Sequence, residues 1–225
     1  MKAVLFDFGG TIDTDGIHWS EKFWMLYEQF GINVKKREFE QAFVEVENHL
    51  IIDPELRRAR FRETLGKQLN QQFKMLRITD RDGLLNEMIK TCYEEVTQVI
   101  DDAKSTLIEL QSRFKLGIVS NFYGNLEIVC KEFGLDKVFS TMIDSTVVGV
   151  RKPNPAIWSL ALGNLGVQPE TAWVVGDSYS NDIVPSKQLG CRTIWLKGKS
   201  WTTPASVDAA DYTITKFEKV RSILL

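Results

Sequence analysis

The chain has 225 residues, with 28 Lys and Arg against 30 Asp and Glu, a net charge of −2, and 44% hydrophobic residues. This composition is typical of a globular protein that buries a full hydrophobic core. The balanced charge argues against a general attraction to nucleic acid or to an anionic membrane. Three scattered cysteines, Cys92, Cys130 and Cys191, argue against a disulfide framework or a zinc site.

No apolar run approaches the roughly 18 residues that a membrane helix requires. The apolar residues at the N-terminus are interrupted by Asp7, too early for a signal peptide. We therefore expect a cytoplasmic protein without a membrane or nucleic-acid partner. The sequence does not indicate an oligomeric state.

Short apolar runs alternate with helical patterns along most of the chain. Ala3–Phe6 is too short for a helix and is closed by Asp7, as expected for a strand buried on both faces. Further strands are predicted at 115–119, 138–143, 172–175 and 193–196, and helices at 102–113, 125–133, 155–165 and 181–189. Asp102 and Pro155 provide helix-start signals. This alternation predicts an α/β fold, a parallel sheet with helices on both faces.

The segment between about residues 15 and 99 departs from this alternation. Aromatic and apolar residues recur at helical spacing between 19 and 30, and helical patterns follow at 35–51, 54–70 and 80–96. No strand-like run lies between them. We therefore predict an all-helical domain at 15–99, inserted into a core domain formed by 1–14 and 100–225. Such an insert can move relative to the sheet.

Polar clusters follow four successive predicted strands, at 7–11, 120–121, 151–153 and 176–182. The carboxyl ends of parallel strands lie at one edge of the sheet, where ligands bind. Gathered carboxylates repel one another unless a cation joins them, and Mg²⁺ takes one or two carboxylates while leaving positions for a phosphate. Glycine-rich turns and helix N-termini add N–H groups for an anion. The sequence therefore predicts a metal-assisted phosphate site.

These clusters, taken in order, resemble the four motifs of the haloacid dehalogenase superfamily. They read Asp7-Phe8-Gly9-Gly10-Thr11, Ser120-Asn121, Lys152-Pro153-Asn154-Pro155 and Gly176-Asp177-Ser178-Tyr179-Ser180-Asn181-Asp182. The helical insert occupies the place of that family's helical cap, so the resemblance covers essentially the whole chain. It implies a Rossmann-like core, a mobile cap and hydrolysis through an aspartyl-phosphate.

The resemblance also implies roles for individual residues. Asp7 would be the nucleophile, and Lys152 would neutralise charge on Asp7 and on the phosphoryl group. The implied Mg²⁺ ligands are Asp7, the main-chain carbonyl of Gly9 and Asp177, with Asp182 as a ligand or a supporting group. The implied phosphoryl-binding residues are Gly10, Ser120, Asn121 (through its backbone) and Lys152.

Gly9 departs from the phosphatase pattern. Most phosphatases of the family carry a second aspartate there, which acts as general acid and then as base. A positioned acid/base is worth ~10²–10⁴ in rate, so its loss weakens or specialises the activity. Asp13 and Asp15 lie just beyond the nucleophile loop. Asp13 is expected to make a hinge or loop hydrogen bond, and replacement of the missing acid/base by either carboxyl group would require the chain to fold back. Dehalogenases and phosphonate-cleaving members also lack this aspartate.

The leading hypothesis is a Mg²⁺-dependent hydrolase of a small phosphorylated metabolite. The alternatives are a non-catalytic phosphate-binding or regulatory protein, a phosphonate hydrolase and a dehalogenase, although a dehalogenase would not need Asp177 and Asp182. A basic cluster in the insert is interpreted first as a solvated helix face and second as a site for another anionic group; it comprises Arg57, Arg58, Arg60 and Arg62. His18 and His49 are interpreted as surface or packing residues.

Overall fold

The computed structural model describes residues 2–225. Its strands are β1 (Ala3–Phe6), β2 (Lys115–Ser120), β3 (Thr141–Asp144), β4 (Ala172–Gly176), β5 (Arg192–Leu196) and β6 (Tyr212–Ile214). They form one sheet in the order β3-β2-β1-β4-β5-β6, in which all neighbouring strands are parallel. The predicted α/β fold is confirmed.

The central strand β1 explains why its sequence is apolar without interruption. All four of its residues are fully buried. Val4 and Phe6 pack into a cluster on one face of the sheet, whereas Ala3 and Leu5 pack into a second cluster on the other face. Because successive side chains point to opposite faces, a strand covered on both sides carries apolar residues at every position.

The helices are α1 (Trp19–Gln29), α2 (Lys36–Ile51), α3 (Phe61–Met75), α4 (Leu84–Gln111), α5 (Leu126–Glu132), α6 (Ser145–Val148), α7 (Ala156–Leu165), α8 (Val184–Gln188) and α9 (Val220–Leu224). Single 3₁₀ turns occur at Leu56–Arg58, Pro169–Thr171 and Phe217–Lys219. Two π-type turns follow strands β1 and β4; they are Phe8–Ile12 and Tyr179–Ile183.

The insert is helical throughout its ordered elements, as predicted, but its last helix extends into the core. The prediction of separate helices at 80–96 and 102–113 was wrong, because α4 runs without a break for 28 residues. Its buried stripe continues through Val96, Ile100, Ala103 and Leu107, so Asp102 lies inside the helix and does not cap it. The division into a core (1–14 and 100–225) and a cap (15–99) stays a prediction, and its boundary at 99 falls within α4.

Other differences concern short elements. β3 begins at Thr141 instead of 138, since the backbone N–H of Val138 closes a turn onto Leu135 before the strand starts. The helix predicted at 181–189 is the π-type turn followed by α8. β6 and α9 were missed because segments of three and five residues carry too few positions to reveal a period.

The three cysteines are buried free thiols. Burial raises the pKa of Cys92 to about 12 and that of Cys191 to about 11. These side chains act as small apolar groups of the core. Within residues 2–225, no helix is both long and apolar enough to cross a membrane.

Candidate active site

Residues that are far apart in the chain meet at the carboxyl edge of the sheet. Asp7 follows β1 directly, and its backbone N–H bonds the carbonyl of Val175 in β4 at 2.9 Å. Lys152 reaches in from the loop after α6. Its Nζ lies 2.5 Å from Asp7 Oδ1, 2.7 Å from Asp182 Oδ1 and 3.2 Å from the carbonyl oxygen of Val119. The motifs therefore lie together at this edge of the sheet, as predicted.

Three carboxylates form a buried cluster at this edge. Asp7, Asp177 and Asp182 each offer an oxygen, and these oxygens all lie within 4.8 Å of one another. The hydroxyl of Thr11 is 3.2 Å from both Asp7 Oδ2 and Asp177 Oδ1, and it accepts the backbone N–H of Asp177 at 3.0 Å. Having one proton, this hydroxyl donates to one of the two carboxylates at a time.

Charge in the cluster is only partly balanced. Burial raises the pKa of Asp177 well above its usual range and that of Asp182 to about 7. Burial alone would lower the pKa of Lys152, but the carboxylates of Asp182 and Asp7 more than offset it, so this pKa lies above its usual value. One ammonium thus faces three carboxyl groups. Hard oxygen donors this close together, with unbalanced negative charge, fit a divalent cation such as Mg²⁺.

Two consecutive glycines shape the loop after Asp7. Gly10 has φ +96°, and a Cβ built there would lie 2.5 Å from Asp177 Oδ2, so only glycine lets the backbone approach this carboxylate. Gly9, by contrast, has φ −74° and ψ 115°, which any residue adopts. A Cβ at Gly9 would make ordinary contact with Trp19, at 3.4 Å from Cδ1. The indole therefore borders the space that an acid/base side chain would need.

Asn121 holds the lysine loop in place. Its Oδ1 accepts the backbone N–H of Lys152 at 2.9 Å, and its Nδ2 donates to the carbonyl of Lys152 at 3.1 Å. This pair of bonds occupies the side-chain amide. Asn121 and the buried Ser120 border the same cavity as Asp7.

The two carboxylates considered as replacements for the missing acid/base are engaged elsewhere. Asp13 is fully buried; its Oδ1 accepts from the backbone N–H of Gly10 at 2.7 Å and its Oδ2 from Trp19 Nε1 at 2.8 Å. Asp15 accepts from Lys216 and from the backbone of Phe217. Neither is among the residues that line the cavity beside Asp7. Asp13 braces the glycine loop instead.

Comparisons with known proteins agree with this geometry. The model of the haloacid dehalogenase-like hydrolases matches residues 1–190. The chain belongs to this family of hydrolases.

Relatives of this hydrolase span bacteria and vertebrates. The chain is 38% identical over 120 residues to "Haloacid dehalogenase-like hydrolase domain-containing protein 3" of Danio rerio, a match covering 52% of this chain and 50% of that protein. It is 29% identical over 185 residues to "Pyrimidine 5'-nucleotidase YjjG" of Escherichia coli strain K12, covering 81% of this chain and 77% of the relative. The match to the first relative thus spans about half of that protein's length.

A solved structure supports the fold of this hydrolase over its whole length. The HAD-hydrolase YfnB of Bacillus subtilis, determined with magnesium bound, superposes with a TM-score of 0.61 at 22% identity. The comparison covers 99% of this chain and 98% of that one. It includes the helical insert as well as the sheet.

The cavity of the hydrolase has a volume of about 230 Å³ and lies between the carboxylate cluster and the insert. Its wall on the insert side comprises His18, Trp19, Phe23, Phe43, Glu47, Phe61, Thr64, Leu65 and Gln68. The sequence predicts only a surface or packing role for His18 and does not indicate that the others lie at the site. Helical periodicity indicates which face of a helix is buried but not which buried face lies over a cavity.

Two of these residues carry polar groups with few partners. Gln68 is 3% exposed, and neither atom of its amide makes a hydrogen bond of good geometry, although the amide lies close enough to Glu47 to lower that residue's pKa. His18 Nδ1 is 2.7 Å from Ser20 Oγ, and burial lowers the pKa of His18 against an opposing effect of Asp7. Both are candidates for contact with a bound molecule.

The basic cluster of the insert does not contribute to this cavity. Arg57, Arg58, Arg60 and Arg62 are all exposed, and none of them is among the lining residues of the described chain. The interpretation as a solvated helix face agrees with this placement. A role in holding a second anionic group of the substrate does not.

Asp13 predicts a pH dependence of stability. Burial raises the pKa of Asp13 to about 7, although hydrogen bonds from Gly10 and Trp19 oppose the rise. Between about pH 4 and 7 the folded protein keeps a proton that the unfolded chain has lost. The free energy of unfolding therefore falls as the pH rises through this range, by at most about 1.4 kcal/mol per pH unit, and this contribution levels off above it.

Chemical denaturation across this pH range measures the slope. Asp13→Asn should make it shallower by removing the contribution of Asp13, whereas Asp15→Asn should leave it unchanged, because Asp15 lies nearer the surface, paired with Lys216, at φ +51° where Asn is tolerated. An Asp13 pKa near 4, measured by NMR titration of the folded protein, would contradict the prediction.

Proposed function

We propose that this hydrolase is a Mg²⁺-dependent phosphatase of small phosphorylated compounds that works through an aspartyl-phosphate on Asp7. The observation that carries the proposal is the Asp7 carboxylate, held between Lys152 and Thr11 at the cavity, with Asp177 beside it. The nucleotidase relative agrees with phosphate ester hydrolysis, and the magnesium-bound neighbour agrees with the metal.

The reaction would proceed in two displacements. A carboxylate oxygen of Asp7 forms a bond to phosphorus, while the bond from phosphorus to the ester oxygen breaks and its electron pair leaves with that oxygen. Water then attacks the phosphorus of the aspartyl-phosphate, which frees inorganic phosphate and restores the carboxylate. Lys152 offsets negative charge on the transferring group in both steps, and Ser120 and the backbone around Asn121 would hold its oxygens. The backbone N–H of Gly10, predicted for the same role, bonds Asp13 Oδ1 in this structure.

The carboxylate cluster would hold the metal. Asp7, the carbonyl of Gly9 and Asp177 are the proposed ligands, and the bound ion would supply positive charge that draws the phosphoryl group towards Asp7. The carboxylate of Asp182 is already engaged, with Oδ1 on Lys152 and Oδ2 accepting the backbone N–H of Ser178 at 3.0 Å. Of the two roles considered for Asp182, these bonds favour the supporting one.

Asp177→Asn is expected to abolish Mg²⁺-dependent turnover, because the amide is neutral and a poor ligand for a hard cation. Thr11 can still donate to the amide oxygen, so the fold should persist. Two measurements apply: phosphate release across a Mg²⁺ titration, and the rise in Tm on adding Mg²⁺, which should disappear in the variant. The exposed Asp136→Asn serves as a control. Unchanged Mg²⁺ dependence in Asp177→Asn would exclude Asp177 as a ligand.

Carbon–halogen hydrolysis is the second candidate, favoured by Gly9, which leaves only one carboxylate on the nucleophile loop. The three-carboxylate cluster argues against it, since that reaction needs no metal. Metal-independent halide release from 2-chloropropionate, without phosphatase activity, would favour the dehalogenase. Phosphonate cleavage through a cap lysine receives no support, because Lys152 is the one lysine among the described residues that line the cavity.

A further inference from the structure

The cavity wall facing the reaction centre is aromatic. Among the described residues, six Phe, Tyr and Trp rings line it, contributed by α1, α2, α3 and the loop after β2: Trp19, Phe23, Phe43, Phe61, Phe122 and Tyr123. They contact one another in edge-on and tilted arrangements, with Trp19 at 5.2 Å from Phe23 and 5.8 Å from Phe61 between ring centroids. Such a wall favours a planar apolar group, which gains burial and ring contacts together.

Two charged side chains on the cavity wall, Glu47 and Arg151, partly offset each other's charge. Glu47 accepts a hydrogen bond from the hydroxyl of Tyr123. Burial raises the pKa of Glu47, and the Tyr123 hydrogen bond and the nearby charge of Arg151 only partly oppose the rise. Arg151 in turn donates to Ser145 Oγ at 3.1 Å. The insert places no lysine or arginine on the lining of this cavity within residues 2–225. A second phosphate or a carboxylate on the substrate would therefore find no cation of the insert to pair with.

The volume of the cavity also limits the size of the substrate. Its volume of about 230 Å³ exceeds the roughly 150 Å³ of an apolar protein cavity that binds benzene. The difference accommodates a phosphoryl group next to Asp7. One aromatic ring with one phosphoryl group matches this volume, whereas a dinucleotide does not.

The lack of an acid/base side chain at Gly9 also favours a substrate with an aromatic leaving group. Gly9 has no side chain to protonate the leaving oxygen, so that oxygen must depart as an anion. An aromatic ring stabilises this anion because the charge spreads over the ring, whereas an alkyl group does not. Water protonates the anion after release.

We propose that the substrates are aryl phosphates, the monophosphate esters of phenols. The ring is held against the aromatic wall, and the phosphoryl group lies at Asp7. This inference rests on the phosphatase function proposed above. In the first step the Asp7 carboxylate forms its bond to phosphorus, and the bond between phosphorus and the aryl oxygen breaks with its electron pair on oxygen. The aromatic side chains Phe43 and Phe61 then determine affinity for the ring and not the rate of phosphoryl transfer.

Two phosphate esters with alcohols of matched acidity separate the effect of the ring from that of the leaving group. Phenyl phosphate carries a ring, and hexafluoroisopropyl phosphate does not. With Mg²⁺ present, we expect kcat/KM to be at least about tenfold higher for phenyl phosphate, mainly through KM. Phe43→Leu should lower kcat/KM more for phenyl phosphate than for the fluoroalkyl ester and so remove most of this preference. Phe73→Leu is the matched control, since Phe73 is buried in α3 away from the cavity.

Equal kcat/KM for the two esters, or an equal loss for both in Phe43→Leu, would overturn the inference. Binding of phenylphosphonate and propylphosphonate, measured by calorimetry, tests the wall independently of turnover. Tighter binding of phenylphosphonate without hydrolysis of any phosphate, acetyl phosphate included, would support the aromatic site and reject the phosphatase. Equal binding of the two phosphonates would reject the aromatic site even in an active phosphatase.

Discussion

Asp7→Asn is expected to reduce phosphatase turnover by at least ~10⁴-fold, the scale on which removal of a catalytic nucleophile acts in other enzymes. The amide oxygen can still accept from Lys152, and Lys152 keeps its ion pair with Asp182, so the loss should come from chemistry and not from unfolding. Acid quenching during turnover followed by peptide mass spectrometry should find a phosphoryl group on Asp7 in the wild type and none in the variant.

Asp136→Asn provides the control for this experiment, because Asp136 is exposed and does not line the cavity beside Asp7. Thermal unfolding of all three proteins checks that the fold is retained. Wild-type turnover in Asp7→Asn, or a phosphoryl group trapped on another residue, would show that Asp7 is not the nucleophile.

Gly9→Asp is expected to raise the turnover of alkyl phosphates by up to ~10²–10⁴, the contribution of a positioned acid/base. The backbone permits the change, since Gly9 has φ −74° and the new Cβ meets Trp19 at ordinary contact distance. In its protonated form the added carboxyl group can donate a proton to the leaving oxygen, and the resulting carboxylate can then accept a proton from the attacking water. In the wild type, turnover should instead depend steeply on the acidity of the alcohol, and the aspartyl-phosphate should be longer lived.

Gly9→Ala separates the carboxylate from the bulk of the side chain, because it adds the same Cβ without the acid. Single-turnover rates for a series of alkyl and aryl phosphates measure the leaving-group dependence. Similar chemical-step rates for alkyl and aryl esters in the wild type would contradict the expectation. His18 would then be the first residue to replace, since it lines the cavity whereas Asp13 and Asp15 are bonded elsewhere.

Much of the core could be predicted because its signals are local. Apolar runs such as Ala3–Phe6 end abruptly at polar residues, and the alternation with helices implies a parallel sheet. The boundary near residue 99 was harder to place, because the apolar stripe of α4 continues through it without a helix-breaking residue. The last strand, Tyr212–Ile214, was missed because its pairing with β5 is specified by contacts across the sheet and not by its own sequence.

The convergence of Asp7, Lys152 and Asp177 could also be predicted, since parallel strands bring their carboxyl ends to one edge. The bonds that each side chain makes there could not. A loop hydrogen bond was expected of Asp13, but its partners Gly10 and Trp19 were not predicted. Nor were the bonds from Asn121 to the backbone of Lys152, because such partners depend on loop conformations. Such hydrogen bonds depend on atomic positions to within a few ångströms. The spacing of residues along the sequence does not specify positions that closely.

By itself, the sequence determined the chemistry available to this hydrolase: carboxylates and one lysine at the edge of a parallel sheet, with glycine in place of an acid/base. Only the tertiary structure decided what surrounds that chemistry. Trp19, Phe43 and Phe61 lie on three different helices, and their rings line the same cavity as Asp7 only because those helices pack together. Side chains that converge from distant segments leave no period or motif in the chain, so the shape and polarity of the cavity emerge from packing alone.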